Sequence, residues 1–352
     1  MNTSAKWSRA ILATTVVSSL LATGCGSTLP ASAGGGTAGR QPDVNGDGKV
    51  VVGVMSPGDT KDKGYYQSFV DEAKTFAEAH DWTVVILDKI NPSDSITQAK
   101  NLCRQSVDLI AIGASELKDA LSAAPEPVCK GVDWYINGGV GVEQTEHFAQ
   151  SQQVIKEILF SGGVAAGLLL KESGSTKAGY ISGPEVDFSK QAAAGFRAGL
   201  RAVVPEATLV ETYTGDFNDS GKAREAAQAQ LSLGVKVIYP YLGGATDVVA
   251  SLARDKQVYT LTPGTDRCAD DAGFDISMVF SPGAYFAAAL GEFQKGTLTM
   301  GKARMWRIGV DDVPTVVMCG EHTRLQPQVD QFMADIAAGK FDIEALAGAS
   351  GR

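Results

Sequence analysis

The sequence of 352 residues contains few histidines and none of the short motifs that mark common catalytic centres. Its three histidines, His80, His147 and His322, lie far apart along the chain and do not cluster with one another. GxSxG and Walker A motifs are absent, and no two cysteines form a CxxC pair. These absences argue against an enzyme, a zinc site and thiol redox chemistry, so we expect no catalytic residues, cofactor or metal.

The chain also lacks an excess of basic charge, with 31 Lys and Arg against 40 Asp and Glu and a formal net charge of −9. Nucleic acids and anionic lipid headgroups both attract basic protein surfaces. We therefore expect neither of them to be a binding partner.

The apolar run at residues 10–22 is too short to span a bilayer core of roughly 30 Å, which takes about 20 apolar residues. With Lys6 and Arg9 before it, the run has the form of a signal peptide. LLATGC at residues 20–25 resembles the lipobox of bacterial lipoproteins, in which the cysteine is lipidated and becomes the N-terminus. We therefore expect residues 1–25 to be a lipoprotein signal, Cys25 to carry a lipid, and the protein to be an extracytoplasmic lipoprotein of the cell membrane. The alternative is an ordinary secreted signal with a chance cysteine.

Four further cysteines follow, and an even number outside the cytoplasm favours disulfides. Three pairings are possible, and we favour the local pairs Cys103–Cys129 and Cys268–Cys319. Four buried free thiols are the alternative.

The region after Cys25 divides by composition into a tether and two lobes. Residues 26–48 are rich in Gly, Ser, Thr, Ala and Pro, which is typical of a flexible tether. About 300 residues remain, more than one ordinary hydrophobic core accommodates.

Strand and helix patterns alternate along those residues in two series. Predicted strands of the first series lie at 49–56, 83–87, 109–112 and 132–136; those of the second, after an apolar helix at 154–170, lie at 178–182, 209–213, 235–239 and 258–262. Such alternation predicts parallel sheets with helices on both faces. We therefore predict an α/β protein of two doubly wound lobes, with a ligand cleft at the carboxyl ends of the strands.

Three predicted strand ends carry side chains suited to a small molecule. Residues 59–67 supply carboxylates, amides and two aromatic rings, residues 239–244 supply two tyrosines and a glycine pair, and residues 262–266 end on a carboxylate. Each segment alone fits an ordinary turn, but three at one edge indicate a binding site.

The segment from residue 178 to 244 resembles the basic membrane protein (BMP) family, the nucleoside-binding lipoproteins of ABC transporters. It contains AGYISG at 178–183, AAGFRAGLRAVVPEA at 193–207, GDFNDSGKAREAA at 215–227 and LGVKVIYPYLGG at 233–244. The resemblance implies a type I periplasmic-binding-protein fold with three crossovers between the lobes. On that fold we expect residues 49–147 to form lobe 1, completed by about 276–300, and residues 148–275 to form lobe 2, completed by about 301–345.

The family's binding motifs also correspond to individual residues here. The family's Asp-Lys-Ser-Phe-Asn corresponds to residues 62–66, and the aspartate of its Gly-Val-Asp, which contacts ribose, corresponds to Asp266. Asn137 stands for an aspartate at the end of the fourth strand, and Phe280 stands for a lysine. The expected ligand-binding residues are Asp62, Tyr65, Tyr66, Asn137, Tyr239, Tyr241, Gly244, Asp266 and Phe280.

The resemblance therefore implies a solute-binding protein of an ABC importer that binds a purine nucleoside or a related compound. We expect a monomer whose partners are the small molecule, an ABC permease and, through the lipid at Cys25, the membrane. The alternatives are a binding protein for a free purine base or another small polar solute such as a sugar, and a surface adhesion or sensory lipoprotein.

Overall fold

The computed structural model describes residues 41–138, 141–270 and 273–348, which form two lobes on two six-stranded sheets. Residues 1–40, which include the expected signal peptide, Cys25 and most of the expected tether, lie outside the described residues. Within the described ranges, no helix is long and apolar enough to cross a membrane. The same ranges contain no cluster of His, Cys, Asp or Glu able to hold a metal ion.

The first lobe is built on six parallel strands. In chain order they are β1 (Val51–Met55), β2 (Thr83–Leu87), β3 (Leu109–Ile112), β4 (Asp133–Asn137), β5 (Ala149–Gln153) and β11 (Ala303–Trp306). They lie side by side in the order β11-β5-β4-β3-β1-β2. The helices of this lobe are α1 (Tyr65–His80), α2 (Ser95–Cys103) and α7 (Pro282–Gln294), and α7 packs against α1. β3 and nearly all of β1 are buried and apolar, because helices cover both faces of a parallel sheet.

The second lobe contains the other sheet, in the order β12-β10-β9-β8-β6-β7. Its strands are β6 (Lys177–Ser182), β7 (Thr208–Tyr213), β8 (Val237–Tyr241), β9 (Tyr259–Gly264), β10 (Ile276–Val279) and β12 (Thr315–Met318). Only β12, at the edge, runs antiparallel to its neighbour within this sheet. The helices are α3 (Ile155–Ser173), α4 (Asp187–Val203), α5 (Ser220–Ser232), α6 (Thr246–Asp255), α8 (Gln326–Ala337) and α9 (Ile343–Gly348).

The chain passes between the two sheets three times: between β5 and α3, between β10 and α7, and between β11 and β12. Two doubly wound lobes with three crossovers confirm the type I periplasmic-binding-protein fold expected from the sequence. The carboxyl ends of the parallel strands in both sheets therefore border the space between the lobes.

The expected lobe boundaries are each displaced by one strand. β5 pairs with β4 and β11 in the first sheet, although residues 148–275 were expected in lobe 2. β10 pairs with β9 in the second sheet, although residues 276–300 were expected in lobe 1. β11 belongs to the first sheet, although residues 301–345 were expected in lobe 2. In each case hydrogen bonding to a neighbouring strand determines which lobe the strand belongs to. The crossover to the other lobe therefore comes after that strand and not before it.

Residues 41–48 are packed on the first lobe, which corrects the expectation that the tether extends to residue 48. Val44 is fully buried, and its backbone N–H donates to Oδ1 of Asp108 at 2.9 Å. The Asn45 side chain donates to the carbonyl oxygen of Ser106 at 2.8 Å. The packed part of the chain therefore begins several residues before β1.

The two long helices of the second lobe, α3 and α4, approach closely at glycines. A side chain at Gly199 of α4 would overlap the backbone carbonyl of Phe160 in α3, and one at Gly163 of α3 would overlap the carbonyl of Phe196 in α4. Glycine is therefore required at both positions for this helix spacing.

The structure contains both disulfides favoured from the sequence. Cys103 at the end of α2 is joined to Cys129 before β4, and Cys268 after β9 is joined to Cys319 after β12. Each bridge lies within one lobe, so neither restricts movement of the lobes relative to each other.

Candidate functional site

A cleft between the lobes lies where strands of both sheets end. Residues of the first lobe that line it are Tyr65, Tyr66, Ser115, Glu116, Gly138 and Gln153; those of the second are Ile155, Phe188, Phe217, Tyr241, Leu242, Gly243, Pro263 and Phe280. The cavity in this cleft is about 100 Å³. Sites for drug-sized ligands are roughly 300–1,000 Å³. The cleft is therefore a narrow slot, and a ligand of that size enters only if the lobes or the lining side chains separate.

Six aromatic rings form a continuous series across this cleft, which we call the aromatic series. In spatial order its members are Tyr66, Tyr65, Phe280, Tyr241, Phe188 and Phe217. The Tyr65 and Phe280 ring centroids, which join the first lobe to the second, are 6.3 Å apart. The Phe280 and Tyr241 centroids are also 6.3 Å apart. Rings at these separations offer stacking and edge contacts to a flat ligand.

Two hydrogen bonds fix the tyrosines of the first lobe. The Asn137 side-chain amide donates to the Tyr65 hydroxyl at 2.7 Å, which leaves the hydroxyl hydrogen of Tyr65 to be donated. The Tyr66 hydroxyl donates to Oε1 of Glu116 at 3.0 Å. Burial raises the pKa of both tyrosines well above the usual value, so both hydroxyls keep their protons. Burial also raises the pKa of Glu116.

Asp62, one of the expected ligand-binding residues, does not line the cleft and instead holds the start of α1. Its carboxylate accepts hydrogen bonds from the backbone N–H groups of Gly64, Tyr66 and Gln67 at 2.9, 3.1 and 3.0 Å. The first N–H groups of a helix have no partner within the helix, so an acidic side chain just before α1 satisfies them.

Tyr239 and Gly244 also lie outside the cleft lining. Tyr239 is fully buried in the core of the second lobe, with its ring centroid 5.3 Å from that of Phe196. Tyr241, two residues later, lies on the same face of β8 but at the end of the strand, where it reaches the cleft. Gly244 donates its backbone N–H to Asn218 Oδ1 at 2.8 Å, and its neighbour Gly243 lines the cleft instead.

Asp266 borders a second, more open pocket and is exposed to solvent, although the family motif suggested a ribose contact. The Asp266 carboxylate accepts a hydrogen bond from the Cys268 N–H at 3.0 Å. An ion pair between the lobes lines the same pocket, with Lys63 Nζ 3.6 Å from Asp247 Oδ2. Asp247 forms a second ion pair with Arg267, in which Nη1 of Arg267 lies 2.7 Å from Oδ1 of Asp247. This polar pocket is distinct from the aromatic cleft.

Of the nine expected residues, the structure therefore brings Tyr65, Tyr66, Tyr241 and Phe280 to the cleft, with Asn137 bonded behind Tyr65. Sequence reasoning missed the other lining residues, and four of them that carry polar or aromatic side chains lie near the carboxyl end of a strand. Glu116 follows β3, Gln153 ends β5, Phe188 follows β6, and Phe217 follows β7. A signal was available for Phe217, since it is the aromatic residue of the GDFND motif.

Two α/β lobes joined by three crossovers around an aromatic cleft define the class of two-lobed, type I solute-binding proteins. A family model described as ABC transporter substrate-binding protein PnrA-like (Bmp) matches residues 49–313. The chain belongs to this family, whose members are the substrate-binding components of ABC transporters, and the resemblance seen in the sequence is confirmed.

Similar proteins agree with this assignment. The chain is 25% identical over 210 residues to a CD4+ T-cell-stimulating antigen of Listeria monocytogenes, which covers 58% of this chain and 57% of that protein. It is 29% identical over 163 residues to the ABC transporter nucleoside-binding protein BmpA of Lactococcus lactis, covering 46% and 45%. The matches thus span about half the length of these curated relatives. An ABC transporter solute-binding protein from Conexibacter woesei superposes with a TM-score of 0.65 at 20% identity, over 83% of this chain and 97% of that one, and shows the same fold.

Proposed function

We propose that the protein is an extracytoplasmic solute-binding lipoprotein of an ABC importer and binds a purine nucleoside or a related compound in the aromatic cleft. The observation that carries this proposal is the aromatic series, which continues from the first lobe into the second at Tyr65 and Phe280. Stacking of a base on an aromatic side chain contributes roughly 1–3 kcal/mol. A flat ring in contact with both lobes favours the closed form, which is the form that a permease would recognise.

The polar groups at the cleft match what such a ligand requires. The Tyr65 hydroxyl donates, the Glu116 carboxylate accepts, and Gln153 has a buried Oε1 with no hydrogen-bond partner. A dissociation constant of ~1 μM corresponds to about −8 kcal/mol. Two stacked rings and three buried hydrogen bonds of about 1 kcal/mol each reach that range. The nucleoside-binding relative in Lactococcus lactis supports the same ligand class.

A free purine base is the second candidate. The carboxylate of Asp62 is engaged by backbone N–H groups, and Asp266 lies outside the cleft. Both residues were expected to hold sugar hydroxyls or base edges, so their places outside the cleft lining favour a ligand with few hydroxyl groups as the second candidate.

Titration calorimetry and thermal shift of the purified protein with nucleosides, free bases and sugars test the ligand class. A ligand present at 100 times its dissociation constant stabilises the folded state by about 2.7 kcal/mol, which moves the melting temperature by several degrees. A shift with nucleosides but not bases supports the proposal, and a shift with bases alone supports the second candidate. A response to sugars only, or none to the whole panel, contradicts both and favours the sugar-binding or the adhesion and sensory alternatives.

A pair of variants locates the site. Tyr241→Leu keeps an apolar side chain in the cleft but removes a ring of the aromatic series, so we expect weaker nucleoside binding. Tyr213→Leu is the matched control, because Tyr213 is a half-buried tyrosine of the same lobe outside the cleft. Equal affinities of the two variants would place the ligand elsewhere.

The membrane anchor is part of the same proposal. Lipid on Cys25 would keep a monomeric binding protein close to its permease, with a second interaction adding to the affinity of a single chain for the bilayer. Metabolic labelling with a fatty acid tests this: we expect incorporation into the wild-type chain and none into Cys25→Ser. Equal labelling of both would contradict it.

A further inference from the structure

Among the described residues that line the aromatic cleft, only Glu116 carries a carboxylate, and no described cation pairs with it. Glu116 follows β3 in the first turn of the short helical segment Ser115–Ala123. None of the described residues that line the cleft is Lys, Arg or His. The remaining lining side chains are aromatic, aliphatic, hydroxyl or amide groups, so the charge of Glu116 is not balanced within the cleft.

The carboxylate also has unused capacity to accept hydrogen bonds. Tyr66 donates to Oε1, and the backbone N–H of Glu116 itself contributes a further interaction. Among the described residues, no other side chain donates to Oε2. A carboxylate accepts about four hydrogen bonds. A desolvated charge with missing partners is costly, and a ligand that supplies N–H donors removes that cost.

We propose that Glu116 selects ligands whose ring edge presents N–H donors, of the kind formed by a lactam N–H beside an exocyclic amino group. This inference rests on the proposed function, because it assumes that a flat heterocycle lies among the rings of the aromatic series. Such an edge places two parallel N–H groups opposite the two carboxylate oxygens. A guanine-type ring has this edge, whereas an adenine-type ring has an unprotonated nitrogen there, which the carboxylate repels.

Tyr66 acts as the positioning residue for this carboxylate. Its hydroxyl, held on α1, fixes Oε1 of Glu116 and leaves Oε2 without a side-chain donor among the described residues. The arrangement thus orients the acceptor before the ligand arrives, which reduces the entropy lost on binding.

Calorimetric titration of the full protein with guanosine, 1-methylguanosine and adenosine tests the inference, using wild type and Glu116→Gln. The methyl group removes the ring N–H and keeps the rest of guanosine, so it isolates the proposed contact. A bidentate contact between a side chain and a base edge discriminates by roughly 10- to 100-fold. We expect guanosine to bind at least tenfold more tightly than the other two nucleosides. In Glu116→Gln we expect weaker guanosine binding, tighter adenosine binding because the repulsion is removed, and loss of most of the preference.

The outcomes separate this inference from the proposed function. Binding of all three nucleosides with equal affinity, or an equal loss for all three in Glu116→Gln, overturns the selection by Glu116 and leaves the nucleoside-binding proposal standing. Absence of binding by every nucleoside overturns both. Glu225→Gln, which makes the same substitution at an exposed residue of α5 outside the cleft, is the matched control and should keep the wild-type preference.

Discussion

The side-chain amide of Asn137, at the end of β4, donates to the hydroxyl of Tyr65, the first residue of α1, over 2.7 Å. This bond joins two strand-end segments that are 72 residues apart and orients the ring that contacts the second lobe. We expect Asn137→Ala to weaken nucleoside binding by roughly 3- to 10-fold, because one hydrogen bond of about 0.5–1.5 kcal/mol no longer holds the ring. Titration calorimetry measures this. Unchanged affinity would mean that packing alone orients Tyr65.

Removal of the Asp62 carboxylate should destabilise the protein. Asp62→Ala leaves three backbone N–H groups at the start of α1 without their acceptor. Loss of such a cap costs about 0.5–2 kcal/mol. Urea unfolding should show this lower free energy of unfolding, and Asp62→Asn should recover part of it. A ligand affinity that falls while stability stays constant would instead return Asp62 to the role expected from the family motif.

Asp266→Ala should leave both the stability of the protein and its ligand affinity nearly unchanged. The side chain is exposed, and its hydrogen bond in the structure is to a backbone N–H two residues away. We expect nucleoside affinity within about twofold of wild type, since the carboxylate lies outside the aromatic cleft. A tenfold loss in calorimetry would show that the ligand extends into the polar pocket.

Nucleoside binding should depend on pH through Glu116. Burial raises the pKa of its carboxyl, and the titratable groups that face it, Tyr65, Tyr66 and Tyr241, stay protonated because burial raises their pKa values too. Only the ionised carboxylate accepts two N–H donors, so guanosine affinity falls as the pH is lowered through the pKa of Glu116. The fall should begin at a higher pH than the usual glutamate value of about 4.5 would give. Calorimetry over neutral to acidic pH should show it for wild type and a flat profile for Glu116→Gln.

The contact between α3 and α4 should not tolerate a methyl group. Gly199→Ala would place a Cβ against the backbone carbonyl of Phe160, and overpacking of this kind costs about 1–3 kcal/mol. Gly291→Ala is the matched control, because a Cβ at this position of α7 would meet no atom within 4 Å. It should leave stability unchanged or raise it by up to about 1 kcal/mol, since alanine favours helix more than glycine does. Equal melting temperatures for the two variants would contradict the close helix contact.

The fold could be predicted from the sequence because most strands are continuous apolar runs. The lobe boundaries could not be predicted, because β5 is not an apolar run. β5 reads AQSQQ, which gives no hydrophobic signal, yet Gln150 and Ser151 are buried within it. Each side chain has a distant partner: Gln150 Nε2 donates to the Gly138 carbonyl, and Trp306 Nε1 donates to the Ser151 hydroxyl. Only the assembled sheet provides those partners.

The candidate site was predicted in part for a similar reason. Strand ends and the family motifs indicated Tyr65, Tyr66, Tyr241 and Phe280, all of which reach the cleft. The sequence alone does not show whether a side chain on a strand lies in the core of the lobe or reaches the cleft at the strand end. Glu116 gave no signal at all, because a single acidic residue after a short strand is common, and its importance arises only from the rings that surround it.

The packing of residues 41–48 determines which half of the molecule is held and which half moves. Val44 and Asn45 are hydrogen-bonded to Asp108 and Ser106 of the first lobe. A force applied through the preceding chain therefore acts on the first lobe. In the part of the chain that the structure describes, the second lobe is joined covalently to the first only through the three crossovers. If the chain is held at its N-terminus, opening of the cleft therefore moves the second lobe, and its lining rings Phe188, Phe217, Tyr241 and Phe280 move away from Tyr65 and Glu116.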